Sequence, residues 1–208
     1  MFARSSALAA ALFLAGLGPA AAVCPGVEVL VQDSFQSFQP TWGQTGTAIR
    51  VEEGQLVIAP PAGADAWVVD NGGLRDDIDM CVTITTIMSG EPTEAKAGPI
   101  FWYEDVNNFY VFQIAPNGRA SAWRRQRGRW LVQIDWSDAE GANDGDGGIN
   151  ELRVTTVGSD ATFHVNGTEF GTLDGSPPEN GQQIGLFAGS PDDSEAVFSF
   201  DGLRVTTP

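Results

Sequence analysis

Beyond its N-terminal segment the chain never sustains a helical period. Apolar and polar positions alternate in short runs, and Gly, Pro, Asn or Asp interrupts them at the intervals typical of sandwiches. The runs that read as strands are 27–31, 47–51, 55–59, 66–69, 78–87, 100–104, 109–115, 120–124, 130–136, 151–157, 161–165, 184–188 and 196–205. Between them stand Glu53-Gly54, Asn117-Gly118, Arg127-Gly128 and Asn166-Gly167, pairs that supply the positive φ of tight hairpins. The pattern therefore predicts an all-β chain in which several consecutive strands are antiparallel neighbours.

One run breaks the alternation. Phe109-Tyr110-Val111-Phe112-Gln113-Ile114 is apolar on both faces, as expected of a central strand with one side in the core and the other in a groove or under a loop. Period two puts Tyr110, Phe112 and Ile114 on one side, and Phe109, Val111 and Gln113 on the other. The single polar member, Gln113, marks the second side as the wetter one. The same period puts Phe101 with Tyr103, and Trp102 with Ile100 and Glu104 on the opposite face.

The N-terminal segment follows a different logic. Arg4, an apolar run over 7–17, a Gly18-Pro19 break and Ala20-Ala21-Ala22 form the order of a bacterial secretory signal peptide, with cleavage after Ala22. The expected mature domain, 23–208, is long enough for a single core, and the expected location is periplasmic or extracellular. No other run approaches the length of a membrane span. Export gives the two cysteines a meaning: Cys24 and Cys81 would lie in an oxidising compartment, where they have one possible pairing. Such a bridge would stabilise the fold by about 4 kcal/mol in the chain-entropy account.

Charge narrows the partners. Eleven Lys plus Arg against 27 Asp plus Glu leave a formal net charge of −16, which argues against nucleic acid as a partner. Catalytic constellations lack parts. His164 is the only histidine, so a His-rich metal site or a Ser-His-Asp triad would have to rest on it alone, and it alternates with apolar neighbours as an exposed strand residue. Asp76-Asp77-Ile78-Asp79 and Asp192-Asp193-Ser194-Glu195 read as solvated loop ends, and Asn166-Gly167-Thr168 as a turn rather than a glycan acceptor. The loop Asn143-Asp144-Gly145-Asp146-Gly147-Gly148 has the carboxylates a calcium ion wants but not the spaced glutamate of an EF-hand, and a flexible turn explains it.

The order of motifs resembles the concanavalin A-like lectin and glucanase superfamily, and within it the bacterial domains of the 3-keto-disaccharide hydrolase-like kind. The likeness runs from Asp33-Ser34-Phe35 with Trp42, through Glu53-Gly54-Gln55-Leu56-Val57-Ile58, to Gly98-Pro99-Ile100-Phe101-Trp102 and Asn107-Asn108-Phe109-Tyr110-Val111-Phe112. It continues in Gly128-Arg129-Trp130, Asn150-Glu151-Leu152-Arg153-Val154, Phe163-His164-Val165-Asn166-Gly167, Gly185-Leu186-Phe187-Ala188 and Phe200-Asp201-Gly202-Leu203-Arg204-Val205. The resemblance implies a jelly-roll β-sandwich of two curved antiparallel sheets, with first and last strands side by side. Sandwiches of this type often cap those strands with a structural ion, which makes Asp33 and Asp201 candidate ligands for a Ca²⁺. No activity comes with the fold, and the superfamily's Glu-x-Asp-x-x-Glu string, which aligns two carboxylates on one strand face, is absent.

One feature favours a ligand. Arg119, Arg124, Arg125, Arg127 and Arg129 crowd a single hairpin, interleaved with Trp123 and Trp130. Aromatic faces stack on sugar rings and guanidinium forks bind hydroxyls or carboxylates, so this surface suits a glycan, an acidic one included. Pairing of these arginines with the acidic excess is the plainer alternative. The expected contacts are Trp102, Gln113, Trp123 and Arg125, with Trp42, Trp67 and Trp136 assigned to packing. Three function classes stay open: a non-catalytic lectin-like carbohydrate-binding domain, a glycoside-acting enzyme of the resembling kind, and a structural or adhesive envelope protein. The oligomeric state is not readable from the sequence.

Overall fold

The computed structural model describes residues 24–91 and 93–208, so the predicted signal segment at 1–22 lies outside the described residues. The strands, in chain order, are β1 (Val29–Asp33), β2 (Ile49–Glu52), β3 (Gln55–Ile58), β4 (Asp65–Arg75), β5 (Ile78–Met88), β6 (Lys96–Asp105) and β7 (Asn108–Ile114). They continue with β8 (Arg119–Gln126), β9 (Arg129–Asp138), β10 (Ile149–Val157), β11 (Asp160–Val165), β12 (Thr168–Asp174), β13 (Gln182–Gly189) and β14 (Val197–Thr206). A 3-10 turn, Pro40–Trp42, follows β1. Among the described residues no helix is long and apolar enough to cross a membrane.

Two antiparallel sheets form a sandwich. The eight-stranded sheet runs β12-β11-β10-β5-β14-β3-β2, with β1 also paired to β14, and the six-stranded sheet runs β4-β13-β6-β7-β8-β9. First and last strands are therefore neighbours, with Asp33 opposite Leu203. The expected hairpin pairs set the local connections: Glu53-Gly54, Arg127-Gly128 and Asn166-Gly167 all have positive φ at both residues and join β2 to β3, β8 to β9 and β11 to β12. The third turn returns the chain into β12, a strand that the alternation had not marked.

Side-chain period explains how the layers meet. β10 and β11 alternate strictly between buried and partly exposed positions, so Leu152, Val154, Ala161, Phe163 and Val165 face inward. From the facing sheet Phe101, Tyr110, Phe112 and Ile114 join the same core. Phe112 and Phe163 stack across the interface at 4.7 Å. The expected bridge is present: Cys24 and Cys81 are bonded, which fastens the residues before β1 to β5 in the middle of the larger sheet. In the smaller sheet β6 lies so close to β7 that a Cβ on Gly98 would stand 1.8 Å from the Phe112 carbonyl oxygen. Only glycine fits there.

Candidate functional site

The outer face of the six-stranded sheet is apolar where most outward faces are polar. β7 contributes Phe109 and Val111, β6 Ile100 and β13 Phe187, all fully buried, and Trp67, Tyr103, Trp123 and Trp130 pack over them half-buried. Phe109 is the hub: its ring lies 5.4 Å from Trp130 in an edge contact, 5.6 Å from Trp67 and 5.6 Å from Tyr103. Burial, and then the charge of Asp105, push the Tyr103 phenol above its ordinary range.

This floor opens at one end into a cleft of about 330 Å³, bounded by Trp123, Trp130, Trp136 and Phe187 and by the segments carrying Glu94 and Asp192. The size sits at the lower end of the range for small-ligand pockets, ~300–1,000 Å³. Gln113 lines it at 2 % exposure, and its Oε1 is buried without a hydrogen-bond partner among the described residues. An amide oxygen left that way costs about 1–3 kcal/mol unless something fills the site. Several side chains around it are engaged with one another. Trp123 Nε1 donates to Ser121 Oγ at 2.5 Å, and Ser121 donates to the Ile134 carbonyl at 2.9 Å. Trp130 Nε1 donates to Asp65 Oδ2 at 3.2 Å, Lys96 Nζ lies 3.8 Å from Asp65 Oδ1, and Ser190 Oγ donates to the Pro60 carbonyl at 2.6 Å. Glu94 and Asp192 are exposed and form no ion pair among the described residues.

Of the residues singled out in the sequence, Gln113 and Trp123 meet in the cleft. Arg125 sits beside it. Its guanidinium lies over Trp130 at 5.3 Å and Trp67 at 5.7 Å while Nε donates to the Val106 carbonyl, so it clamps the aromatic floor. The rest of the arginine patch disperses. Arg124 covers the Tyr110 ring at 4.9 Å, Arg119 pairs with Asp138 and donates to the Trp136 carbonyl, and Arg127 and Arg129 line a separate open groove.

Trp102 needs correction. Alternation from Ile100 put it on the groove face, but it is 2 % exposed in the inter-sheet core, against Phe101 and Tyr110 at 5.1 Å each. The cause is a bulge. Trp102 has φ +47°, β6 shifts register against both neighbours here, and the Trp102 N–H leaves the ladder to donate to Gln182 Oε1 at 2.7 Å. Gln182 in turn donates to Thr156 Oγ1 of the facing sheet at 3.0 Å. Two successive side chains thus enter the core, and Tyr103 turns out to the aromatic floor in place of Trp102.

The cation candidates find other work. Asp33 accepts from the Phe35 N–H at 2.7 Å and the Trp42 indole at 2.8 Å, and Asp201 accepts from the Gly202 N–H at 2.6 Å. Asp33 thereby fixes the turn after β1. Among the described residues neither joins a convergent set of three ligand groups. The set that does converge is Cys24, Asp79 and Cys81, within 4.8 Å of one another. Its sulfurs are joined to each other, and Asp79 receives Arg153 through Nε at 2.6 Å and a second nitrogen at 3.0 Å, so these atoms fit a metal poorly. The 143–148 loop is tied to neighbouring segments, with the Gly145 and Gly147 N–H groups donating to the Pro116 and Thr86 carbonyls and Asp146 accepting from the Ser89 N–H. His164 lies on the outer face of the larger sheet, opposite Arg153, where burial and then Arg153 hold its pKa below the ordinary value.

Asp65, Glu94, Lys96, Trp136, Phe187 and Asp192 were missed as site residues. They come from separate parts of the chain, and no local pattern connects them.

No family model matches the chain, and no curated protein does. Solved structures do match. Carbohydrate binding module CBM66 from Bacillus subtilis superposes at TM-score 0.58 and 16 % identity, over 73 % of this chain and 86 % of that one. The GH43 protein BlXynB from Bacillus licheniformis, as its K247S mutant, gives 0.66 at 15 % identity, over 85 % of this chain and 39 % of that one. Alginate lyase A1-II′, of polysaccharide lyase family 7, gives 0.57 at 10 % identity, over 79 % and 85 %. The likeness is one of fold. It establishes the two-sheet sandwich at identities too low to bring residue roles with it.

Proposed function

We propose that this chain is an exported saccharide-binding domain, a concanavalin A-like jelly-roll that holds a sugar in the cleft on its six-stranded sheet without transforming it. The observation that carries the reading is the pairing of Trp123, Trp130 and Trp136 with the unsatisfied Oε1 of Gln113. Indole faces stack on the apolar faces of a pyranose, and the sugar's hydroxyls exchange hydrogen bonds with the polar side chains of the lining. The fold of a carbohydrate binding module supports the same reading.

Calorimetric titration against a panel of oligosaccharides tests it. At least one member should bind, and Trp123→Ala should weaken that binding tenfold or more while leaving the far-UV spectrum unchanged. Absence of heat with every member would remove the proposal.

A second reading, a glycoside-acting enzyme, is favoured by the carboxylates of Glu94 and Asp192 opening onto the same cleft, and by glycan-cleaving enzymes among the similar folds. Paired carboxylates are the equipment of glycoside cleavage. Incubation with the bound saccharide followed by product chromatography distinguishes the two. Turnover abolished by Glu94→Gln or Asp192→Asn would replace the binding reading with the catalytic one.

A further inference from the structure

We infer that the saccharide held by this cleft carries an acetamido group and that Lys96 is the residue which reads it, an inference that rests on the saccharide-binding reading and deepens it. Lys96 is the only lysine of the whole chain, and it lines the cleft beside the three indoles. Its place there is built. Lys96 on β6 and Asp65 on β4 flank Gly189 of β13 across the sheet. A Cβ on Gly189 would stand 2.5 Å from Asp65 Oδ1, 2.8 Å from Lys96 Cε and 3.0 Å from Lys96 Nζ, so the glycine leaves the hollow in which both side chains lie. Asp65 divides its carboxylate between two partners: Oδ2 accepts from the Trp130 indole at 3.2 Å, and Oδ1 lies 3.8 Å from Lys96 Nζ. At that separation the ammonium is held by charge and not by a hydrogen bond, which leaves its N–H groups to a ligand.

Two more donors line the same cleft. Trp136 engages its backbone N–H and carbonyl with Asp135 and Arg119, while its Nε1 has no acceptor among the described residues, and neither has the amide nitrogen of Gln113. Donors without acceptors, beside aromatic faces and fixed carboxylates, call for a neutral group that brings an acceptor oxygen and an apolar surface. An acetamido group has each part. Its carbonyl oxygen serves the donors of Lys96, Trp136 and Gln113, its N–H serves a carboxylate of the lining, and its methyl covers an indole face. A hydroxyl in its place lacks the methyl. An ammonium leaves the three donors unserved and sets a second cation beside Lys96. A uronate meets Asp65, Glu94 and Asp192 against one lysine, on a chain of formal net charge −16, so the acidic glycan that the arginine-rich hairpin suggested does not suit this cleft. The arginines that would have received it are spent on Tyr110, Trp67, Trp130 and Asp138 or face a different groove.

The test compares four β-1,4-linked tetrasaccharides by titration calorimetry on the mature chain: N-acetylglucosamine, glucosamine, glucose and a tetrauronate. The acetylated tetramer should bind at least tenfold more tightly than the other three. Because the group is neutral, its margin over the glucose tetramer should be the same at about 50 mM and about 500 mM salt, where screening lengths differ severalfold. Lys96→Met keeps the apolar stem and loses the ammonium, and should cut the preference for acetylated over plain tetramer about tenfold, as expected for a hydrogen bond from a charged donor. Trp136→Phe keeps an aromatic face without the N–H and should cut the preference about threefold, the scale of a neutral hydrogen bond. Gly189→Ala displaces the Lys96 head and should lower the same ratio, with thermal melting confirming that each variant folds. A merely structural role for these residues would weaken both tetramers alike and leave the ratio unmoved. Equal or tighter binding of the glucosamine, glucose or uronate tetramer overturns the inference and leaves the saccharide reading standing, as does an unchanged ratio in Lys96→Met. Failure of all four to bind also overturns the inference; the saccharide reading then survives only through heat with another member of the wider oligosaccharide panel.

Discussion

Trp102 gives the sharpest test of the structure, because alternation and geometry assign it opposite roles. In the core it makes ring contacts with Phe101 and Tyr110 at 5.1 Å and leaves 2 % of its surface exposed. A buried tryptophan removes roughly 150–250 Å² from water, worth about 4–6 kcal/mol at ~25 cal/mol per Å². Truncations of this kind measure about 3–5 kcal/mol. The positive φ strains alanine as it strains tryptophan, so that cost cancels between the two proteins. With about 4 kcal/mol lost and a urea slope near 2 kcal/mol per M, Trp102→Ala should lower the unfolding midpoint by about 2 M. Far-UV circular dichroism is the proper probe, since the substitution removes a fluorophore. Trp123→Ala, at a half-buried position on the cleft, should move the midpoint much less and lose ligand instead. A midpoint shift below about 0.5 M in Trp102→Ala, accompanied by lost saccharide affinity, would refute the bulge and return Trp102 to the groove.

Three further outcomes are expected. Cys81→Ser opens the bridge to Cys24, a sequence separation of 57, and the chain-entropy relation gives a loss of about 4 kcal/mol; scanning calorimetry should show melting lowered by roughly 8–16 °C, and an unchanged melt would sink the entropic account. Gly98→Ala forces a Cβ into the Phe112 carbonyl and should lower the yield or melting temperature of the folded protein, while Gly46→Ala, which meets open space, serves as its control. His164 titrates below its ordinary value, so the folded state resists protonation that the unfolded state accepts near pH 6.5. Its contribution is complete above that pH and lost as pH falls through the lowered folded value, so His164→Gln should flatten the acid side of the melting-temperature profile; parallel profiles for the two proteins would contradict the shift.

What the sequence revealed depended on whether the signal was local. The Asn166-Gly167 hairpin was legible from two residues, and it demanded a returning strand, yet β12 went unmarked because Gly171 and the polar residues around Phe170 dilute its period. Phe109, Val111 and Gln113 fell on the groove side as read, since β7 keeps its alternation throughout. Trp102 did not, because a positive φ at a tryptophan leaves no mark in composition or period. Trp136 was assigned to packing and lies in the cleft, brought there by a strand that slips register against β8 between Trp123 and Ala120. The acidic wall was out of reach for a different reason. Asp65, Glu94 and Asp192 meet only through the order of strands in the sheet, which is tertiary information.

That slipping strand has a consequence of its own. β9 is the last strand of its sheet, and it presents Leu131 and Val132 at 43 % and 48 % exposure. A straight ladder there would offer a template to other chains. The Trp136 N–H turns back to Asp135 Oδ1 and its carbonyl takes Arg119, so the row of free backbone groups is broken where a neighbour would dock. The irregularity that delivers an indole to the cleft also guards the border of the sheet against aggregation. Smoothing β9 in an engineered variant would therefore compromise solubility and recognition together.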